Sequence, residues 1–241
     1  MGKQYVLRRV FKHDFFAATA LYEGAGEKVI LKIGRRASLA FLPLRWIGRL
    51  LARHEAAALG ACRGIVGVPR LLGQWRSTGL VREYIEGRPL TRGMRVPDAF
   101  HSQLREIVKE IHGRGMAYVD LEKAENVLVG DDGRPYLIDF QIAWYVPRRW
   151  GGGLWPARAV CRRLQSGDLY HLKKLVRRTR PDLLTDRERA ATYRKPWYVH
   201  VHAWFTSPLR RLRRRILNRL DPRRMPGERG RVAEDSFGGL S

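Results

Sequence analysis

The chain has 241 residues, 44% hydrophobic and 10% aromatic, enough apolar content to pack one large domain or two small lobes and too much for a disordered chain. Lys and Arg number 47 against 23 Asp and Glu, a formal net charge of +24 that favours anionic partners: nucleic acid, anionic lipid or phosphorylated ligands. Two cysteines, Cys62 and Cys161, suggest neither a disulfide framework nor a paired-cysteine metal site, and fit a reducing compartment.

The first 35 residues predict three strands, at 5–11, 19–23 and 29–33, the last two joined by the turn Gly24-Ala25-Gly26. In the third, Val29, Leu31 and Ile33 alternate with Ile30 and Lys32, so Lys32 lies on a face that can look into a cleft. Helical periodicity follows over 49–59. Leu51, Glu55 and Leu59 are spaced i, i+4, i+8, which sets Glu55 among leucines, where an unpaired carboxylate is costly. Glu55 is also the only acidic residue between Lys28 and Arg82, so it is the carboxylate available to orient Lys32. An edge-strand lysine and a half-exposed glutamate fit the same residues. A strand at 80–85 then runs into the breaker Gly87-Arg88-Pro89, a hinge between lobes.

Past the hinge, Phe100, Leu104, Ile107, Val108 and Ile111 mark a core helix, opened by Pro97-Asp98 and stopped by Gly113. Val127-Leu128-Val129, the hairpin signal Asp131-Asp132-Gly133 and Tyr136-Leu137-Ile138 predict a two-stranded ribbon with Asn126 and Asp139 at its outer ends. A Trp-, Arg- and Gly-rich loop at 144–155 leads to a helix carrying Leu169, Leu172, Leu175 and Val176. Beyond residue 190, Trp197, Tyr198, Trp204 and Phe205 precede a helix with Ser207 as cap and Pro208 at its first position. The last twenty residues read as a loose tail.

Phosphoryl transfer asks a protein to hold the phosphates, neutralise their charge and align the acceptor hydroxyl, so its sites are sets of spaced charges. Asp120-Leu121, then Asn126-Val127-Leu128-Val129, then Asp139-Phe140 one hairpin later form such a set. In these residues, with Lys32, Glu55 and the hinge-like Glu83-Tyr84-Ile85-Glu86-Gly87, the chain resembles the protein-kinase-like superfamily. The resemblance covers roughly residues 5 to 178. It implies an α+β, two-lobed fold: a small antiparallel-sheet N-lobe (1–86), a mainly helical C-lobe with the catalytic loop (87–190), a basic helical C-terminal extension (191–221) and the tail (222–241). It also implies that Asp120 aligns or deprotonates the acceptor, that Asn126 and Asp139 bind Mg2+, that Lys32, paired with Glu55, holds the inner phosphates of ATP, and that Glu83 and Ile85 contact the adenine. His112 packs and hydrogen-bonds within the core.

The sequence departs from the family pattern at several points. No glycine occurs between Lys3 and Glu23, so Lys12 or His13 would have to contact phosphate in place of glycine backbone. Tyr118-Val119 replaces the usual His-Arg, and Gln141 replaces the Gly after Asp-Phe. The Asp120-to-Asn126 interval is one residue longer than the family's usual, so the loop bulges or Glu125 takes part. No Ala-Pro-Glu follows Phe140. These departures point to compact bacterial relatives such as the RIO-like and lipopolysaccharide core kinases, in which Asp168 would brace the catalytic loop.

Leu209, Leu212, Ile216, Leu217 and Leu220 form an apolar stripe among arginines, so the 208–220 helix fits an anionic membrane surface and equally fits packing on the core. The 40–51 segment has the same character. Nucleic acid ranks third as a partner, since no RNA-binding motif is present. No apolar run of signal-peptide or bilayer-spanning length occurs. The expectation is a cytoplasmic kinase, peripheral on the inner face of the cell membrane, that phosphorylates a hydroxyl on a lipid-linked or glycan acceptor. A protein serine/threonine kinase and a pseudokinase scaffold are the alternatives.

Overall fold

The computed structural model describes residues 4–13, 17–34, 45–147 and 154–193, without side chains at 12, 13, 17 and 45–47. The expected phosphate contacts of Lys12 and His13, much of the 40–51 segment, the 208–220 helix and the tail lie outside the described residues.

The first lobe is a five-stranded antiparallel sheet of β1 (Val6–His13), β2 (Ala17–Gly24), β3 (Glu27–Gly34), β4 (Leu71–Trp75) and β5 (Gly79–Glu83), in the order β1-β2-β3-β5-β4. Gly24 pairs with Glu27 across a two-residue turn in which Ala25 and Gly26 have φ of 52° and 76°. Two positive φ values make the type I′ geometry that matches strand twist. The register sets Leu21 opposite Ile30, Ile30 opposite Arg82 and Lys32 opposite Leu80. Directly opposed residues share a face, so Leu21, Ile30, Lys32 and Arg82 look the same way. Helix α1 (Arg45–Ala61) packs on β3, β4 and β5 and buries Glu55, Ala56, Ala58 and Leu59.

The second lobe is built on α2 (Phe100–Gly113), whose Phe100, Leu104, Ile107, Val108 and Ile111 are buried at the predicted spacing. It packs against α3 (Trp155–Thr179), where Leu172, Leu175 and Val176 are buried and Leu169 is 43% exposed. Strand β6 (Gly87–Pro89), just before α2, and β7 (Val127–Gly130) and β8 (Pro135–Leu137), between α2 and α3, form a small antiparallel sheet in the order β6-β7-β8. One apolar cluster runs through both lobes, from Leu59, Cys62 and Leu80 to Met116, Tyr118, Leu121 and Phe140. Cys62 and Cys161 are free and buried, and burial pushes the Cys62 thiol up to about 12. A unit beginning at Thr185 contains α4 (Asp186–Ala191), closed by a Thr185–Glu188 capping box.

Three elements differ from expectation. Strand β4 was not predicted, because Leu71-Leu72-Gly73-Gln74-Trp75 does not alternate apolar with polar residues, although Leu71 packs against the core. Gly87-Arg88-Pro89 is not merely a breaker but a strand paired with β7, and a Cβ at Gly87 would lie 2.4 Å from the Val129 carbonyl oxygen. Proline is tolerated there because β6 is an edge strand. Finally, α3 begins at Trp155, with Pro156 in its first turn, and no apolar periodicity announces that end.

His101 is buried on α2, its Nε2 2.8 Å from Thr179 Oγ1. The Thr179 hydroxyl donates to the Leu175 carbonyl, so it accepts from His101, which fixes the neutral Nε2–H tautomer. Burial first, and then Arg180, lowers the imidazole from 6.5 to about 4, with Asp182 opposing. Because the folded value lies below the unfolded one, this contribution is intact above pH 6.5 and is lost as pH falls through 4, by up to about 3 kcal/mol. Urea unfolding at pH 7 and pH 4.5 should show a smaller acid loss for His101→Gln than for wild type; equal losses would assign the acid sensitivity elsewhere.

Candidate active site

The catalytic-loop residues converge as their spacing requires. Asp120 is 7% exposed, and its Oδ2 accepts from Asn126 Nδ2 and from Lys123 Nζ, each at 2.7 Å. The extra residue in the interval is absorbed by a 3₁₀ turn over Ala124–Asn126, so Asn126 is buried against Asp120 while Glu125 stays exposed. The loop is therefore tightened rather than replaced by Glu125.

What holds this loop is Asp168. Its carboxylate, 1% exposed, accepts from Tyr118 N at 2.8 Å and Val119 N at 2.7 Å, and its Oδ2 lies 3.0 Å from His112 Nε2. Val119 has φ of 71°, a region β-branched residues rarely enter. Such strain persists only when the surroundings over-determine it, and two charge-assisted bonds from one buried carboxylate do so. The Tyr118 hydroxyl donates to the Ile138 carbonyl, and its ring meets Phe140 edge-on at 5.1 Å. Tyrosine in place of histidine thus ties the catalytic loop to the residues on either side of Asp139.

Across the cleft, Lys32 Nζ lies 2.8 Å from Glu55 Oε2 and 2.8 Å from Asp139 Oδ1. The expected Lys32–Glu55 pair is formed, and Asp139 joins it. Burial acts to lower the lysine, but the two carboxylates outweigh it and hold the ammonium above its ordinary value. Asp139 is held below the usual carboxylate range: burial acts upward, and Lys32 and the Gln141 N–H outweigh it. Asp139 also has positive φ, 65°, a second strained residue at the same site. The Ile138 N–H donates to the Asn126 carbonyl at 3.0 Å, which keeps Asn126 and Asp139 side by side at the open end of the β7–β8 hairpin.

At the hinge, the Glu83 side chain accepts from Arg70, and the Ile85 N–H has no hydrogen-bond partner among the described residues. Phe11 stacks on Tyr84 with centroids 6.2 Å apart. Arg82, 8% exposed, donates from Nη1 to the Glu83 carbonyl at 3.1 Å. Burial lowers its guanidinium while Glu55, Asp139 and Tyr118 act to raise it. A cavity of about 720 Å³ opens beside the hinge, lined by Leu21, Lys28, Tyr84, Arg88, Arg95 and Asp131 among others. It does not reach Asp120 or Asp139. The space beside Lys32 and Glu55 is about 10 Å³, room for one water at most.

Sequence reading missed three site residues. Lys123 lies three residues after Asp120, close enough to fold back on it. Tyr118 was seen only as a departure from pattern. Arg82 gave no distinct signal, since in a strand that also carries Glu83 a charge can equally face solvent.

A five-stranded antiparallel lobe with one packed helix, joined by a short hinge to a mainly helical lobe that carries Asp120, Asn126 and Asp139, is the protein-kinase-like fold. Two solved structures similar to it are both of Rio2 kinase from Chaetomium thermophilum. The structure of its complex with ADP, Mg2+ and phosphoaspartate is 18% identical, with a TM-score of 0.55 over 78% of this chain and 61% of that one. A second is 17% identical, with a TM-score of 0.52 over 78% and 63%. The chain thus spans somewhat over three fifths of the length of the Rio2 chains it matches. No family model and no curated protein matches it.

Proposed function

We propose that the chain is an ATP- and Mg2+-dependent phosphotransferase acting on a hydroxyl of a lipid-linked or glycan acceptor at the cytoplasmic membrane face. The observation that carries the phosphotransferase reading is the convergence of Lys32, Glu55 and Asp139 on one side of the cleft with Asp120, Lys123 and Asn126 on the other. In the neighbour solved with ADP and Mg2+, the same fold holds a nucleotide and its metal.

The residues present fit a magnesium ion. Asp139 commits Oδ1 to Lys32 and Gln141, and Asn126 commits Nδ2 to Asp120, which leaves one hard oxygen on each, Asp139 Oδ2 and Asn126 Oδ1. Two protein oxygens completed by phosphate and water is the ligand set magnesium favours. Bound there, the ion would neutralise charge on the transferring phosphate. Lys32, fixed by Glu55, would hold the inner phosphates. Asp120 would accept the acceptor's hydroxyl proton on Oδ1, since Oδ2 is taken. Lys123, half-exposed at 53%, can swing from Asp120 to the transferred phosphate.

The acceptor class is supported by the absence of an Ala-Pro-Glu segment and by the arginine-rich amphipathic sequence at 208–220. The same features favour a relative of the lipopolysaccharide core kinases over a regulated protein kinase. The test is labelled ATP offered with Mg2+ to separated lipid, glycan and protein fractions, using wild type and Asp139→Ala. Wild-type labelling of the lipid or glycan fraction, lost in Asp139→Ala, is expected. Labelling confined to protein would replace the acceptor, and labelling of no fraction would return the chain to a scaffold without transfer.

A further inference from the structure

Arg82 is the buried charged group of the cleft that phosphoryl transfer leaves without a task. It stands on the face shared by Leu21, Ile30 and Lys32, one residue before the Glu83 carbonyl expected to read the base. Its Nη1 already donates to that carbonyl at 3.1 Å, so a guanidinium stands beside the oxygen that an adenine 6-amino group would need. The 6-amino group is a donor and needs an acceptor; a 6-oxo group is an acceptor with two lone pairs. The edge of the hinge offers two donors, the Arg82 guanidinium and the Ile85 N–H, which has no partner among the described residues. Both suit an oxygen. A purine amino group would instead meet guanidinium hydrogens and find only the second lone pair of the Glu83 carbonyl open to it.

Glu55 and Asp139, which face the guanidinium from α1 and from the end of β8, help keep the charge in place. A guanidinium stays protonated in proteins, so Arg82 presents only donors.

We propose that Arg82 sets the base selectivity of the cleft, so that guanine nucleotides are bound alongside adenine nucleotides through the purine 6-oxo group. This rests on the reading of the cleft as a nucleotide site. A donor matched to a buried acceptor, against a donor meeting a donor, is worth about tenfold or more in affinity.

The experiment is competition of ADP, GDP and IDP, each with Mg2+, for a fluorescent nucleotide on the full-length chain. IDP carries the 6-oxo group without the 2-amino group of guanine and so separates the contacts at positions 6 and 1 from any made by the 2-amino group; the Arg82 variants then assign the position 6 contact. In wild type, GDP and IDP should bind at least as tightly as ADP. Arg82→Met should shift the ratio towards ADP by about tenfold, and Arg82→Lys, which keeps a donor, should shift it less. A wild-type preference for ADP over both 6-oxo nucleotides, or a ratio unmoved in Arg82→Met, would overturn the role of Arg82 while leaving the nucleotide site standing. Failure of all three nucleotides to bind wild type would instead remove the nucleotide reading and this inference with it. The wild-type comparison decides the matter even if the variants fold poorly.

Discussion

Asp120→Asn should lower phosphate transfer by about 10²–10⁴-fold, the usual contribution of a positioned base, while leaving nucleotide affinity within a few-fold of wild type. The separation follows from the geometry. Asp120 contacts Asn126 and Lys123 and neither the hinge nor Lys32, so the hinge and the Lys32–Glu55 pair keep their partners, and an asparagine oxygen can still accept from Asn126. Asparagine preserves the volume and can still accept on Oδ1, but it cannot take up a proton at neutral pH. Initial rates on the labelled fraction, paired with competition binding, measure both halves. A rate within tenfold of wild type would show that the base lies elsewhere, and a collapse of binding would show that Asp120 shapes the nucleotide site instead.

Asp168→Ala should be the most damaging change for the loop itself. The carboxylate satisfies two backbone N–H groups and approaches His112 from a position 1% exposed, and Val119 beside it sits at φ of 71°. Removing it orphans both donors and releases the strained residue, at a cost of roughly 3 kcal/mol or more in unfolding free energy. Transfer should fall with it, since Asp120 follows Val119 directly. Asp168→Asn, with one oxygen left to accept, should retain part of the stability. Urea unfolding of the three proteins reads the order; a loss under 1 kcal/mol for Asp168→Ala would mean that the loop is held mainly by the Tyr118 bond to Ile138.

Both predictions depend on residues whose places were legible to different degrees. Asp120, Asn126 and Asp139 stood out because their order along the chain, with a hairpin between the second and third, resembles that of the protein-kinase-like superfamily. The Lys32–Glu55 pair was readable because a lone carboxylate on an apolar helix face must find a cation. Arg82 and Lys123 were not picked out, since a single charge in a strand or loop has several ordinary explanations until its neighbours are known. The edge strand β4 escaped for a related reason: with one face only partly buried, its residues do not alternate in polarity.

The sequence by itself determined the two-lobed architecture, the β2–β3 turn, the core face of α2 and the charges needed for chemistry, because these depend on local periodicity, turn chemistry and order along the chain. Only the tertiary structure decided how the long catalytic-loop interval is absorbed, that Asp168 secures Val119 in a left-handed conformation, that Asp139 joins the Lys32–Glu55 pair, and that Arg82 lies against the hinge carbonyl. Those contacts join residues up to 107 positions apart, and even the closest of them depends on which way a loop or side chain turns in the packed core, which no spacing along the chain prescribes.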